Sequence, residues 1–331
     1  MATADLARRA EAGAAWGRGY SARMSLTQAG PEELEALRAK EYNATISHVD
    51  FVHDELWILR VRADGGAPEH KPGQYASLAL GYWEPRIDDA MEPGIEERFT
   101  KLVRRSYSIC CRVLDDDGNL VGSPHDGELE FYVVLVAPTD EWIPGLTPRL
   151  ALKREGDRIF MGRKAAGRYT VDPVTDPASR IVFLSTGTGE APHNVMITEL
   201  LRRGHTGPIV SAVTVRHNRD LAYLDAHRAL EERFPNYHYL ALPTREPDVP
   251  KRHLQDLIRD GSLEASLGAD LDPDRTHVFL CGNPDMIGLP ETDGGVEVYP
   301  ERTGVVEMLV ERGFKLDRRK DPGNIHYEEF W

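Results

Sequence analysis

The pattern of the chain changes near residue 172, and this change limits the possible folds more than any other feature. Between Tyr42 and Met161 the sequence contains short strand-like runs separated by turn residues, with no helical run between them. Many short strands without intervening helices are typical of a small antiparallel barrel. From about residue 175 strand-like and helix-like runs alternate, beginning with the continuous apolar segment 180–185. This alternation predicts a doubly wound parallel sheet, because strands covered by helices on both faces are apolar throughout.

The sequence therefore predicts two domains, which suits 331 residues because single cores stop growing at about 250–300 residues. We place an antiparallel β-barrel at residues 41–172 and a doubly wound α/β parallel sheet at 173–331. The polar, proline-containing segment 172–177 contains their boundary. Residues 1–40 are expected to form an extension that is partly helical or loose, with a short helix opened by Pro31.

Composition and charge exclude several functions. A net charge of −14 argues against nucleic-acid binding, which needs a basic surface. No apolar run approaches the ~20 residues of a membrane span, and the N-terminus lacks the apolar core of a signal peptide, so we expect a cytoplasmic protein. Three cysteines, two of them adjacent, supply neither a disulfide framework nor the ligands of an iron–sulfur cluster. We expect no metal site.

Two short motifs carry recognisable chemistry. In Arg105-Ser106-Tyr107-Ser108, on a strand-like run, the guanidinium can neutralise a diphosphate, the phenol can lie against an isoalloxazine, and a hydroxyl can approach its reactive nitrogen. Gly187-Thr188-Gly189 follows a buried strand and precedes a helix, so its amides can approach a phosphate. Each motif alone is weak, since the first arises by chance and the second also suits an ordinary strand-to-helix turn.

Their order along the chain is more informative. With Thr244-Arg245-Glu246, Cys281-Gly282-Asn283-Pro284 and the terminal Phe330-Trp331, the motifs resemble those of the ferredoxin–NADP reductase family, most closely its bacterial branch. The resemblance covers about residues 42–331 and implies FAD in the barrel and NADP(H) in the second domain.

The function implied by the resemblance is electron transfer between NADPH and ferredoxin or flavodoxin, with hydride transfer to the flavin followed by one-electron steps. Two alternatives remain open. One is a related NADPH-dependent flavin reductase that serves an oxygenase or another acceptor. The other is a non-catalytic, flavin-bearing electron-transfer subunit.

The resemblance also implies roles for individual residues. The residues implied to hold FAD are Arg105, Ser106, Tyr107, Ser108, Phe131, Val133, Leu135, Gly145, Leu146, Thr147, Phe330 and Trp331. Those implied to hold NADP are Thr186, Gly187, Thr188, Gly189, Arg216, Thr244, Arg245, Arg252, Cys281, Gly282, Asn283 and Met286. Ser108, Cys281 and Glu329 are implied to lie at the reacting atoms, with Glu329 or its neighbour Glu328 as a proton source.

Some features have no counterpart in the resemblance. Acid-bearing insertions occupy residues 88–97 and 288–300, and Glu190 and His193 replace residues that are usually apolar. The electron carriers are usually acidic, so docking calls for a local basic patch despite the acidic total charge. The candidates for this patch are Lys101, Arg104, Arg149, Lys153, Arg154, Arg163, Lys164 and Arg168.

Overall fold

The computed structural model describes residues 30–88, 90–294 and 296–330. Its strands are β1 (Ala44–His53), β2 (Leu56–Ala63), β3 (Tyr75–Gly81), β4 (Leu102–Ser108), β5 (Glu128–Val134), β6 (Arg158–Met161), β7 (Arg180–Thr186), β8 (Ile209–Val215), β9 (Tyr237–Pro243), β10 (Thr276–Gly282), β11 (Glu291–Asp293), β12 (Val296–Val298) and β13 (Ile325–Glu329). Its helices are α1 (Pro31–Glu41), α2 (Ile95–Arg98), α3 (Thr147–Leu150), α4 (Glu190–Arg202), α5 (Leu224–Arg233), α6 (Leu254–Arg259), α7 (Ser262–Leu267), α8 (Pro284–Ile287) and α9 (Val305–Val310). Across this described part of the chain, no helix combines the length and apolar character needed to cross a bilayer.

The first six strands form an antiparallel sheet in the order β4-β3-β6-β1-β2-β5. Its inner face is a core that includes Trp57, Leu59 and Phe131, all almost completely buried. The predicted closure into a barrel is wrong. Within the described ranges β4 and β5 share no ladder, and a single bridge joins Cys110, beyond the end of β4, to Glu130. Because β4 ends at Ser108, the space between the two edge strands stays open.

The second sheet is parallel, in the order β13-β10-β7-β8-β9, and this confirms the doubly wound prediction. Central strand β7 is apolar because both its faces are covered. Ile181 and Phe183 pack into one core cluster, and Val182 and Leu184 pack into another on the opposite face. The fifth strand, β13, is formed by the C-terminal segment, which the sequence pattern did not identify as a strand.

Helix α1 is tied to the first sheet through the buried carboxylate of Glu84. Oε1 of Glu84 accepts from Arg38 Nε at 2.8 Å and from Tyr42 Oη at 3.0 Å. Its Oε2 accepts from Lys153 Nζ at 2.7 Å. Burial by itself would raise the pKa of Glu84, but Arg38 and Lys153 outweigh it and lower that pKa to about 2. The rest of the predicted extension, residues 1–29, lies outside the described residues.

The acidic insertion 88–97 contains the short helix α2 and is held by a buried ion pair. The carboxylate of Glu92 accepts from Arg149 at 2.6 Å and lies 3.2 Å from Arg86. The Asp88 carboxylate pairs with the same Arg86 at 2.7 Å. The other insertion forms the antiparallel hairpin of β11 and β12.

Candidate active site

A cleft of about 340 Å³ occupies the gap left between β4 and β5. Most residues predicted to hold the flavin meet there, although they come from three separate parts of the chain. The predicted residues that line it are Arg105, Ser106, Tyr107, Ser108, Gly145, Leu146, Thr147, Glu329 and Phe330. Trp331, predicted to lie near them, is outside the described residues. The incomplete barrel therefore positions the cleft.

The wall of this cleft formed by β4 combines a flat aromatic surface with a cation. The Tyr107 ring lies 6.4 Å from Phe131 in an edge-to-face arrangement, with an interplanar angle of 72°. Burial raises the pKa of the Tyr107 phenol, and nearby Arg105 opposes that shift only in part, so the phenol is neutral. Arg105 is exposed and has no carboxylate partner among the described residues, which leaves its guanidinium available to a diphosphate.

Two arginines, the buried Arg149 and the partly buried Arg86, bind the backbone of the turn at residues 144–147. Arg149 Nη1 donates to the carbonyl of Gly145 at 2.6 Å, and Arg86 Nη1 donates to that of Pro144 at 2.7 Å. The hydroxyl of Thr147 accepts from the amide of Val136 at 3.2 Å. The turn is therefore fixed by the ion pairs of the acidic insertion, whose carboxylate Glu92 binds both arginines.

Strand β5 presents the opposite face from the one predicted. The side chains of Phe131 and Val133 are completely buried in the core of the first sheet, whereas Tyr132 and Val134 line the cleft. Leu135 lines the second, larger cleft instead. Successive side chains of a strand point to opposite faces of the sheet. An error of one residue in register therefore exchanges all the residues that face the cleft for those that face the core.

Sequence reasoning missed several residues of the first cleft. These are Tyr75, Tyr132, Val134, Val136, Trp142, Pro144 and Ala191, whereas Thr188 was predicted for the second cleft and Glu328 as a possible proton source. Trp142 is the most distinctive of them because 44% of its surface is exposed, in the loop that leads to α3. An exposed tryptophan in a loop rich in turn residues is a signal that the sequence contained.

The second cleft has a volume of about 830 Å³ and opens at the carboxyl ends of the parallel strands. This is the edge at which doubly wound sheets bind ligands. The predicted residues that line it are Thr186, Gly187, Thr188, Arg216, Thr244, Arg245, Asn283 and Met286. They follow β7, β8, β9 and β10, and so they meet only in the folded sheet.

Three predicted residues, Gly189, Cys281 and Gly282, are not among the residues that line the second cleft. They pack closely behind it. A Cβ on Gly189 would stand 2.4 Å from the carbonyl oxygen of Cys281, and one on Gly282, at φ +124°, would stand 2.2 Å from Thr186 Oγ1. Only glycine permits contacts this close. Cys281, predicted to line the nicotinamide pocket, does not line this cleft. Its side chain is completely buried in the core, and burial, followed by the charge of Glu328, raises its pKa well above the usual value.

Arg252, predicted to bind the NADP phosphate, faces elsewhere. Its Nη2 donates to Asp260 at 2.5 Å and to the Ser262 hydroxyl at 3.0 Å. The cleft is lined instead by two cations that the sequence analysis did not select, Arg219 and Arg302, together with His253. Sequence alone could not distinguish these cations, because neighbouring elements decide where each guanidinium points.

The C-terminal strand carries two carboxylates into the first cleft. Burial raises the pKa of Glu328 to about 7, and its Oε2 is buried with no hydrogen-bond partner among the described residues. Burial raises the pKa of Glu329 as well. The Phe330 amide donates to the carbonyl of Gly282 at 2.9 Å, which fixes the end of the chain beside the Cys-Gly-Asn-Pro motif.

The two clefts share a wall. Tyr132, Val134, Val136 and Thr188 line both of them. Ligands bound in the two clefts would therefore approach each other across these four side chains. Glu328 and Ser108 lie on the first-cleft side of this junction.

A buried polar network lies behind the Gly-Thr-Gly loop. The hydroxyl of Tyr239 donates to Glu190 Oε1 at 2.6 Å, and His227 Nε2 lies 3.3 Å from the same oxygen. Tyr237 Oη and the Nδ1 of His227 are 2.8 Å apart. These partners explain how Glu190, which is unusual next to this loop, is tolerated when fully buried.

Two members of the expected basic patch are not available at the surface. Arg149 is completely buried, and Lys153 is bound to Glu84. The remaining candidates are exposed, and the described residues provide none of them with a carboxylate partner: Lys101, Arg104, Arg154, Arg163, Lys164 and Arg168.

Comparisons with known proteins agree with this arrangement. Residues 183–291 match the family described as oxidoreductase NAD-binding domain. The flavodoxin/ferredoxin–NADP reductase of Shigella flexneri is 30% identical over 201 residues, which span 57% of this chain and 74% of that protein. The ferredoxin–NADP reductase of Pseudomonas aeruginosa is 26% identical over 257 residues, which span 72% and 95%. Among solved structures, a ferredoxin NADP+ reductase from Neisseria gonorrhoeae with bound FAD and NADP has a TM-score of 0.63 at 21% identity, covering 87% of this chain and 98% of that one, and so shares the fold.

Proposed function

The chain belongs to the ferredoxin–NADP reductase family, and on this premise we propose that it transfers electrons between NADPH and a ferredoxin or flavodoxin through FAD. The observation that carries the proposal is the shared wall of the two clefts. A flavin in the first cleft and a nicotinamide in the second would meet at Tyr132, Val134, Val136 and Thr188.

The residues of the first cleft suit FAD. We assign the diphosphate to Arg105 and to the turn 145–147, and the ring system to the aromatic side chains of Tyr107 and Phe330. Ser108, buried at the end of β4, would donate to or accept from the edge of the ring. When bound, FAD supplies the exchange between a two-electron donor and single-electron acceptors, while the protein orients the reactants and excludes water.

The residues of the second cleft suit NADP. We assign its diphosphate to the loop at 186–188, where φ of Gly187 is +52° and no atom lies within 4 Å of a Cβ built there. Arg216, Thr244 and Arg245, at the ends of β8 and β9, would bind the 2′-phosphate that distinguishes NADP from NAD.

We assign the proton-holding role to Glu328 in preference to the predicted Glu329. Burial sets the pKa of Glu328 to about 7, so this carboxyl exchanges a proton near neutral pH, as an acid or base at a redox site must. Its unpartnered Oε2 is consistent with a partner that arrives only with the ligands.

An acidic electron carrier would dock on the exposed cations of the first domain. Reversal of charge at one of them, in Arg168→Glu, is expected to slow reduction of ferredoxin at low salt and to weaken its salt dependence. Arg275→Glu is the matched control, because Arg275 precedes β10 and so lies at the opposite edge of the parallel sheet. If both proteins lose rate equally, the docking face is not here.

The central experiment is an absorbance spectrum of the purified protein followed by anaerobic titration with NADPH. We expect flavin bands that bleach with NADPH and much less with NADH, and subsequent reduction of added ferredoxin. Absence of flavin bands would refute the proposal. Rapid reduction of free flavin but not of ferredoxin would favour a flavin reductase, and no NADPH oxidation with ferricyanide would favour a non-catalytic subunit.

A further inference from the structure

The insertion that follows α8 returns to the second cleft. The chain leaves α8 at Ile287, forms the β11–β12 hairpin and re-enters the domain at α9. The two ends of this excursion touch, because a Cβ on Gly288 would stand 2.6 Å from the Cα of Gly304. Tyr299 packs against the core of the second domain. Arg302, two residues before the closed base, lines the cleft.

The cations in this cleft and beside it differ in whether a carboxylate already neutralises them. Arg252 is paired with Asp260, and Arg219 lies 4.0 Å from Asp220. In contrast, the ion pairs formed within residues 30–88, 90–294 and 296–330 include none for Arg216, Arg245 or Arg302. These last three guanidinium groups are therefore the ones available to an anionic ligand.

Arg302 is also close to the N-terminal end of α6. His253, the residue before α6, lines the same cleft. Burial lowers the pKa of His253, and the charges of Lys251 and Arg302 lower it further. Because the imidazole of His253 is neutral, the charged guanidinium of Arg302 attracts an anion in this part of the cleft more strongly than His253 does.

We propose that Arg302, which follows the insertion just before the chain re-enters the domain at α9, binds the 2′-phosphate of NADP(H) together with Arg245. The inference rests on the proposed function and adds a specificity residue to it. A phosphate monoester carries a charge of about −1.5 to −2 at pH 7, more than one guanidinium neutralises. Arginine also matches phosphate with two parallel N–H donors, which favours the two arginines over a single cation.

The test is calorimetric binding of 2′-phospho-AMP and of 5′-AMP to the FAD-loaded protein, which needs no turnover. Arg302→Gln is expected to lower the affinity for 2′-phospho-AMP by ~10- to 100-fold, the range for the loss of one charge-assisted hydrogen bond. The affinity for 5′-AMP should change less than ~2-fold, because it lacks the group that Arg302 binds. Arg259→Gln is the matched control and should alter neither affinity, since that exposed side chain is paired with Asp256 on α6 and does not line the cleft.

The outcomes separate this inference from the proposed function. If Arg245→Gln lowers the affinity for 2′-phospho-AMP while Arg302→Gln binds this ligand as tightly as the natural protein does, the inference is overturned and the NADP assignment stands. If the natural protein binds both nucleotides equally, the 2′-phosphate site itself is refuted, and the inference with it. Partial recovery in Arg302→Lys would support the need for charge, and the ratio of kcat/KM for NADPH to that for NADH should fall in parallel with the binding.

Discussion

Replacement of Glu92 by glutamine tests whether the acidic insertion stabilises the cofactor cleft. The Glu92 carboxylate and the Arg149 guanidinium are 2.6 Å apart, with 5% and 1% of their side chains exposed. Removing one partner of a buried ion pair costs about 3–5 kcal/mol, because the other charge remains buried without compensation. Glutamine keeps one acceptor, and Arg149 keeps the carbonyls of Tyr82, Glu84 and Gly145, so the lower end of this range is expected.

The assay is thermal and urea unfolding of the variant with FAD at a fixed saturating concentration, since a bound ligand adds to apparent stability. A loss of about 3 kcal/mol corresponds to a fall in Tm of about 6–12 °C for a domain of this size. Glu97→Gln is the control, because it removes the same charge from the same insertion at an exposed position and should change stability by no more than about 0.5 kcal/mol.

Replacement of Glu92 should also weaken the binding of FAD. The two arginines that it neutralises hold the carbonyls of Pro144 and Gly145, and their turn contributes to the cleft. The variant should therefore release FAD more readily than the Glu97→Gln control when both are folded. If the two variants unfold at the same temperature and hold FAD equally, the buried ion pair does not have the role argued for it.

Three other changes test separate parts of the site. Burial raises the pKa of Glu328 to about 7, so its contribution to stability is present at acid pH and is lost as pH rises from 4.5 to about 7. The Tm of the natural protein should therefore fall over this pH range, and that of Glu328→Gln should fall less. The same pH profile in both proteins would contradict the assignment. Trp142→Ala should raise the Kd for FAD ~5- to 10-fold, as for one lost aromatic contact, and should remove part of the quenching of tryptophan fluorescence by FAD; equal quenching would place Trp142 away from the flavin. Glu190→Leu leaves the buried Tyr239 hydroxyl without its acceptor and should cost about 1–3 kcal/mol in urea unfolding, whereas Glu232→Gln, at an exposed position, should not.

The features that were predictable from sequence are local in origin. The order of strands and helices follows from side-chain periodicity, and the continuous apolar run 180–185 is typical of a strand covered on both faces. The motif at 105–108 lies on one strand, so its members reach the same cleft whenever that strand borders it. The loop at 187–189 likewise follows from a strand, a glycine turn and a helix in immediate succession.

The features that were not predictable depend on contacts between distant segments. Which face of β5 borders the cleft is set by its pairing with β2, and a shift of one residue exchanges Phe131 for Tyr132. The direction of Arg252 is set by Asp260 and Ser262. Strand β13 contains alternating polar residues, and it becomes a strand because β10 offers it a free parallel edge.

Net charge was the least useful guide to docking, and the ion pairs explain why. Acids of the insertions neutralise cations within the protein: Glu92 binds Arg149 and Arg86, and Glu297 binds Arg318. Such pairs leave the total of −14 unchanged but remove both charges from the field that an approaching protein meets. The exposed cations on the first domain, which lack such partners among the described residues, are therefore the ones available to an approaching acidic protein. An acidic chain can in this way present a basic face to an acidic electron carrier.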